Sequence, residues 1–327
     1  MKKILIGLSV LSLSYMAQAA QTTPVPDVAP AASGFQVVIN VPQQRLFLYQ
    51  NGKLRKVYPV GVGKSITQTT LGEHTIGAKA FNPTWHIPLS IQRERGDGVK
   101  TVPPGPKNPL GPVFVRLGNP KLGLGIHGTS NPSSVPGVVS HGCVRMKSPD
   151  ALEFARTITS GSPAVVSYEL AALNVDGGGN LWLAAFKDPY NKRSLPQNKL
   201  KQAINAWGQA NGKTISPTLI NQVLNKKLGT PVCLTCQASG KIQGDLHSLA
   251  WNSGSHERTL PKGGMSVRPQ ADEILPEGTA IEVEAAYDLD KFQGTSVFDS
   301  RPDEMTLPVP TTSVFETNGR MLKPLER

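Results

Sequence analysis

Cys143 lies in the stretch VSHGCVRMKS, between His141 and Arg145 and directly after Gly142. The thiolate is the nucleophilic form of cysteine, and a free thiol is only a few per cent ionised near neutral pH. Nucleophilic chemistry here needs a base to take the proton and cations to favour the anion. The segment IHGTSNPSSVPGVVSHGCVRM supplies His127, His141 and Arg145. Its intervening TSNPSSVPGVV contains prolines and a glycine, so it can fold back and bring His127 against Cys143. Gly142 permits a tight turn before the thiol, and backbone N–H groups at such a turn can form an oxyanion hole. Spacing alone leaves other readings open. Cys143 can be a core residue with two incidental histidines. His127, His141 and Cys143 can be zinc ligands, but H-x-C is not the usual paired spacing and no fourth ligand is evident. No metal or cofactor is expected.

The other two cysteines, Cys233 and Cys236, form C-x-x-C in PVCLTCQ. In an oxidising compartment they can pair as a small-loop disulfide. Half of a zinc site, with His247 as a further ligand, and a redox motif are the rivals. No βαβ context supports the redox motif. Cys143 is then the odd thiol of an exported chain, and an unpaired cysteine there marks a possible reactive group.

Export is read from residues 1–19. Lys2 and Lys3 precede an apolar run from Ile4 to Met16, and Ala17-Gln18-Ala19 gives a small-x-small cleavage pattern. The run is too short to span a bilayer comfortably, and no later segment is a membrane-span candidate, so no stable membrane insertion is expected after cleavage. The formal charge is +11, or +9 once Lys2 and Lys3 are subtracted. Such a surface favours anionic partners, and in an exported protein the cell envelope is a better match than nucleic acid. No basic block interleaved with aromatics indicates single-strand binding.

The elements that must position these residues are mainly β. Residues 20–34 are rich in Pro, Ala and Thr and read as a flexible linker. Strands are expected at 35–41, 45–49 and 55–62, with Asn51-Gly52 as a hairpin turn. Further strands are expected at GEHTIGAK, TWHIP, PVFVRLG and LGLGIHGT. After Cys143, SPDALEFARTIT reads as a helix with Ser148 as N-cap and Pro149 in its first turn. SPAVVSYEL closes a first domain near residue 168–170. The remainder, 169–327, reads as a smaller mixed α+β region, with a strand at LWLAAFKDP and helices at NKLKQAINAWGQAN and SPTLINQVLNKKLG. His74 and His86 read as ordinary strand or loop residues, and His247 and His256 as surface residues.

HGT followed by SHGCVRM closely resembles the signature of the L,D-transpeptidases, the YkuD-type catalytic domain. The chain carries His127-Gly128, then Ser140-His141-Gly142-Cys143, with Arg145 where the family has Asn or Arg. QRLFLY, VGVGK, TLGEHTI and GPKNPLGPVFVRL add to the resemblance, which spans about residues 35–168. The family's Thr-Pro-x-Gly is replaced by Thr69-Thr70-Leu71-Gly72. The resemblance implies a β-sandwich-like domain with a helix beside the catalytic loop. It implies Cys143 as nucleophile and His127 as proton acceptor and donor, oriented through backbone contact at Gly128. Ser140, His141 and Arg145 would shape the donor pocket, and the N–H groups of Gly142 and Cys143 would serve as oxyanion hole. His141 is the rival base on spacing alone. The implied substrate is a peptidoglycan stem tetrapeptide that loses D-Ala. The acceptor amine would come from another stem, an envelope lipoprotein or a free D-amino acid, and carbapenems would acylate the thiol. The implied location is the periplasm. A carboxypeptidase or cross-link hydrolase with the same nucleophile, and a non-catalytic wall-binding protein on the same scaffold, are the alternatives.

Overall fold

The computed structural model describes residues 21–28, 30–236, 240–252 and 272–282. The expected signal segment and His256 lie outside the described residues. Alternating apolar residues form β1 (Phe35–Asn40), β2 (Arg45–Gln50) and β3 (Lys53–Pro59). Asn51 and Gly52, with φ of 50° and 74°, make the turn between β2 and β3. Positive φ at both positions matches the strand twist, which is why Asn-Gly is favoured there. The chain continues through β4 (Gly61–Gly63) and β5 (Gly72–Phe81). It then leaves the sheet as β6 (Thr84–His86), α1 (Leu89–Arg95) and β7 (Thr101–Val102). It returns as β8 (Val113–Leu117), β9 (Gly125–His127), β10 (Gly137–Ser140) and β11 (Val144–Arg145). Next come α2 (Ser148–Thr157) and β12 (Pro163–Ser167). The sheet order is β10-β4-β11-β9-β8-β5-β12-β1-β2-β3. Val37, Ile39, Leu46, Val115, Ile126 and Val144 meet Phe154 and Ala155 of α2 in the main core.

Ser148 does not cap α2, as the sequence suggested. Lys147 occupies the N-cap position without a side-chain bond. The Ser148 hydroxyl instead donates to the Thr129 carbonyl (3.0 Å) and accepts from the Thr129 N–H (3.3 Å). A hydroxyl beside a loop satisfies the loop's backbone in preference to its own helix, and here it fixes the chain just past His127.

The expected mixed α+β region is built from β13 (Ala171–Val175), β14 (Leu181–Ala185), α3 (Gln197–Ala210), α4 (Pro217–Lys226), β15 (Val232–Cys233) and β16 (His247–Ser248). Its sheet order is β15-β14-β13-β16. Leu200, Ile204, Ile220 and Leu224 of the helices share a core with Leu173, Leu181 and Leu183. Cys233 and Cys236 are disulfide-bonded. Residues 21–28, read from composition as flexible linker, are docked. Val25 exchanges hydrogen bonds with the Asn174 amide (3.0 and 2.9 Å), and the Asp27 N–H donates to Glu169 (2.7 Å). Val25 and Val28 are buried against Val38, Phe47 and Trp182. Proline-rich composition signals the absence of helix, and here specific bonds hold an extended chain in place.

Residues 272–282 return to the first sheet. β17 (Ile274–Leu275) runs parallel to β5, and β18 (Ala280–Glu282) runs parallel to β6, making a small β18-β6-β7 sheet. Beside this return lies Lys79, whose side chain is 1% exposed. Its ammonium donates to the Ile158 carbonyl and to Asp272 (2.7 Å), while Asp272 also accepts from the Ser160 N–H (3.1 Å). A buried ammonium left without its carboxylate is strongly destabilising, though partial exposure of Asp272 moderates the loss. Asp272→Ala is expected to lower stability by about 2–3 kcal/mol in urea unfolding, and Lys79→Met in that background to restore part of it.

Candidate active site

A strand shows alternate side chains to opposite faces, and this places the site. In the antiparallel β8–β9 pair, Phe114 faces His127, Val115 faces Ile126 and Arg116 faces Gly125. In the parallel β11–β9 pair, Val144 faces Ile126 and Arg145 faces His127. Val115, Ile126 and Val144 enter the main core. The opposite side carries Phe114, Arg116, His127, Cys143 and Arg145. Cys143 and Phe114 form a second cluster with Trp85, Ile87, Leu110 and Ile281. The excursion between β5 and β8, with β18 beside it, therefore covers the thiol, which is 6% exposed. The His127 ring stacks on Phe114, with centroids 6.2 Å apart and planes at 20°.

The turn before Cys143 is held from both sides. Gly142 has φ of 117°, a conformation that L side chains rarely adopt. The Ser140 hydroxyl donates to the Cys143 carbonyl (2.5 Å) and accepts from the Gly142 N–H (3.2 Å). Thr69 donates to the Gly142 carbonyl (2.7 Å), and its own N–H donates to the Tyr190 hydroxyl (3.1 Å). The Gly142 N–H, expected as an oxyanion-hole donor, is thus engaged by Ser140. His141 is not directed to the thiol either. Its Nε2 lies 2.8 Å from Glu94 Oε2 on α1 and 3.5 Å from Lys64 Nζ. This trio ties α1 to the cysteine loop. Burial is not shared by the trio: Glu94 is exposed, and His141 and Lys64 hold its carboxyl below the usual carboxylate range.

His127 Nδ1 lies 2.6 Å from the Gly128 carbonyl oxygen. A carbonyl can only accept, so Nδ1 carries the hydrogen and Nε2 of the neutral ring is the basic nitrogen. Burial pushes this imidazole down to about 3, and the Arg145 charge adds to the effect, while bonds to the Gly128 and Leu110 backbone oppose it. Burial pushes the Cys143 thiol up to about 11, against the Gly125 backbone bond and the charges of Arg116 and Arg145. The free site therefore holds a neutral thiol and a neutral imidazole. Such a pair can move its proton as the sulfur bonds to carbon, with no ion pair formed beforehand.

Sequence reasoning missed Arg116, Phe114 and Thr69. Arg116 had a readable signal, a cation within the apolar strand VFVRL. Thr69 was legible only as the Thr of a segment resembling the family's Thr-Pro-x-Gly, and its bonds to Gly142 and Tyr190 were hidden because those partners are distant in sequence. His74, half-buried, bonds the Thr70 carbonyl at 3.0 Å, and His247 is exposed. Among the described residues, no group of three His, Cys, Asp or Glu is placed to hold a metal ion.

A buried histidine on β9 and a buried cysteine in the turn before β11, with arginines on the flanking strands of a β-rich unit, make a candidate site for thiol chemistry. The sequence profile of the YkuD L,D-transpeptidase catalytic domain matches residues 34–166. The YkuD protein of Bacillus licheniformis, named as an L,D-transpeptidase, is 32% identical over 145 residues, covering 44% of this chain and 73% of the relative. The ErfK/SrfK protein of Salmonella typhimurium, also named as an L,D-transpeptidase, is 25% identical over 238 residues, covering 69% of this chain and 76% of the relative. A solved L,D-transpeptidase from Mycobacterium smegmatis aligns with a TM-score of 0.32 at 23% identity, covering 41% of this chain and 59% of that one. The chain spans about three fifths of the length of the solved structures it matches. The chain belongs to the L,D-transpeptidase family.

Two outcomes follow from the electrostatics. Iodoacetamide alkylation of Cys143 is expected to accelerate roughly tenfold per pH unit from pH 7 to 10, because only the thiolate reacts. A flat rate from pH 5 upward would reveal a preformed ion pair. The folded His127 lies below its ordinary 6.5, so its contribution to stability is full above that pH and is lost as pH falls toward 3. His127→Gln is expected to flatten the fall in urea midpoint between pH 6.5 and pH 4 relative to the parent.

Proposed function

We propose that this protein is an exported peptidoglycan L,D-transpeptidase acting in the cell envelope. The observation that carries this reading is the register that sets His127 on β9 opposite Arg145 on β11, with Cys143 in the turn that leads directly into β11 and His127 Nε2 as the basic nitrogen. In the acylation step Cys143 Sγ attacks the carbonyl of the third residue of a tetrapeptide stem. The thiol proton passes to His127 Nε2 as the S–C bond forms. His127 returns it to the departing nitrogen, the C–N bond breaks, and D-Ala leaves with a thioester remaining on Cys143. An acceptor amine then attacks, His127 takes its proton, and the thiol is regenerated as the new amide forms. Another stem, an envelope lipoprotein or a free D-amino acid fits the acceptor role, since each offers a primary amine. The apolar residues around the thiol limit water, which favours transfer to an amine over hydrolysis. Carbapenems present an acylating carbonyl and suit the same thiol. Export rests on the N-terminal signal pattern, and among the described residues no helix is long and apolar enough to cross a membrane.

Purified protein with a tetrapeptide donor is expected to release D-Ala and to show a thioester adduct on the Cys143 peptide by mass spectrometry. Cys143→Ala is expected to lower turnover by about a thousandfold or more, and His127→Gln by roughly a hundredfold to ten-thousandfold. Sacculi from cells lacking the protein should lose 3–3 dimers, lipoprotein-linked stems or exchanged stems. If all three are unchanged and tripeptides fall instead, the protein is a carboxypeptidase.

A further inference from the structure

Arg116 is placed beside the thiol by strand register and is assigned to the reaction by none of the motifs above. It faces Gly125 across β8–β9, and the Cys143 thiol donates to the carbonyl of Gly123, two residues before β9 begins (3.5 Å). Its guanidinium lies over the Phe114 ring, 4.9 Å from the centroid, and that ring's neighbour is His127. Room for the side chain comes from Gly77 on β5, where a Cβ would lie 3.1 Å from Arg116 Cβ and Cγ. Arg145 follows Cys143 by two residues on β11, and the charges of both arginines act on Cys143. Two cations thus flank a thiol that is itself neutral.

Their hydrogen-bonding is incomplete. Arg116 Nη1 and Arg145 Nε are buried atoms without a hydrogen-bond partner. Among the described residues, no Asp or Glu forms an ion pair with either guanidinium. A buried N–H on a cation is costly without an acceptor, so such atoms in a native site call for an explanation. A planar guanidinium matches a carboxylate as a fork, and two of them together select a full negative charge over a neutral amide. Consecutive Cα atoms are about 3.8 Å apart, so groups next to the sulfur meet a substrate within one residue of the scissile carbonyl.

We propose that Arg116, together with Arg145, binds the carboxylate that ends the donor peptide one residue beyond the scissile bond, and so makes Arg116 a specificity-determining residue. The inference rests on the transpeptidase reading and deepens it. A donor extended by a further residue places a neutral amide against the two guanidinium groups and leaves the carboxylate outside.

The test compares donor peptides ending in a free carboxylate with the same peptides ending in an amide. Binding is measured by calorimetry on Cys143→Ala protein, and turnover on protein retaining the thiol. The acid-ended peptide is expected to bind roughly tenfold to a hundredfold more tightly than the amide. Arg116→Met, which keeps the apolar stem over Phe114, is expected to bring that ratio near one. Arg116→Lys should retain part of it, and thermal melts of each variant check folding. A ratio near one in the parent, or a ratio unchanged in Arg116→Met, overturns the proposal. Absence of D-Ala release by protein with its thiol intact would overturn the transpeptidase reading instead, while the binding ratio still judges Arg116.

Discussion

Each residue of a strand must choose one face of its sheet, and the short strands β8, β9 and β11 use that constraint in both directions. Val115, Ile126 and Val144 lie level with one another and point into the main core. That packing fixes the relative height of the three strands. Phe114, His127 and Arg145 on the other face then have their positions determined, because a one-residue slip would send them into the core and the valines into the site. A well-packed core resists that exchange at the level of single methylene groups. The geometry of Cys143 relative to His127 is therefore set by apolar packing behind them rather than by a bond between them.

The same burial governs the charges. Covering Cys143 with Trp85, Ile87 and Leu110 removes water that would stabilise either a thiolate or an imidazolium. The two arginines oppose this for sulfur, and Arg145 reinforces it for His127, since a cation favours an anion and disfavours a second cation. Desolvation is the largest effect on both groups. The site thus holds its proton on sulfur and its basic nitrogen empty, with positive charge nearby for an anion that arrives with the substrate. Replacing water by fixed dipoles and charges strengthens such interactions when the anion is present.

Much of this was legible from local sequence. Asn51-Gly52 announced its hairpin, period-two alternation announced β1 to β3, and the helices near 197–210 and 217–226 followed from their apolar spacing. His127 and Cys143 were singled out by residue type and by the long motif that joins them. What failed to show depended on partners remote in the chain. Ser148 looked like a helix cap because its own neighbours permit that, but the Thr129 backbone competes for its hydroxyl. His141 sits two residues from Cys143, yet its partner is Glu94, far away in sequence. Residues 20–34 looked like linker because composition reports on helix and strand propensity, and docking of an extended chain by Asn174 and Glu169 leaves no compositional mark.

The physical extent of the catalytic unit differs from the stretch that carries the family motif. Residues 34–166 contain the thiol, the imidazole and both arginines. They do not contain Tyr190, whose hydroxyl accepts the Thr69 N–H and so supports the residue that holds the Gly142 carbonyl. Nor do they contain Asp272, the counter-charge of buried Lys79, or Ile281, which packs in the cluster around Cys143. A hydrogen bond, an ion pair and an apolar contact from three separate later positions thus tie the later chain to the unit that carries the motif. Removing the later chain would leave a buried ammonium unpaired and widen access to the thiol together. Ile281 thus adds to the apolar cover that Trp85, Ile87 and Leu110 place over Cys143, and a drier thiol is a more strongly desolvated one.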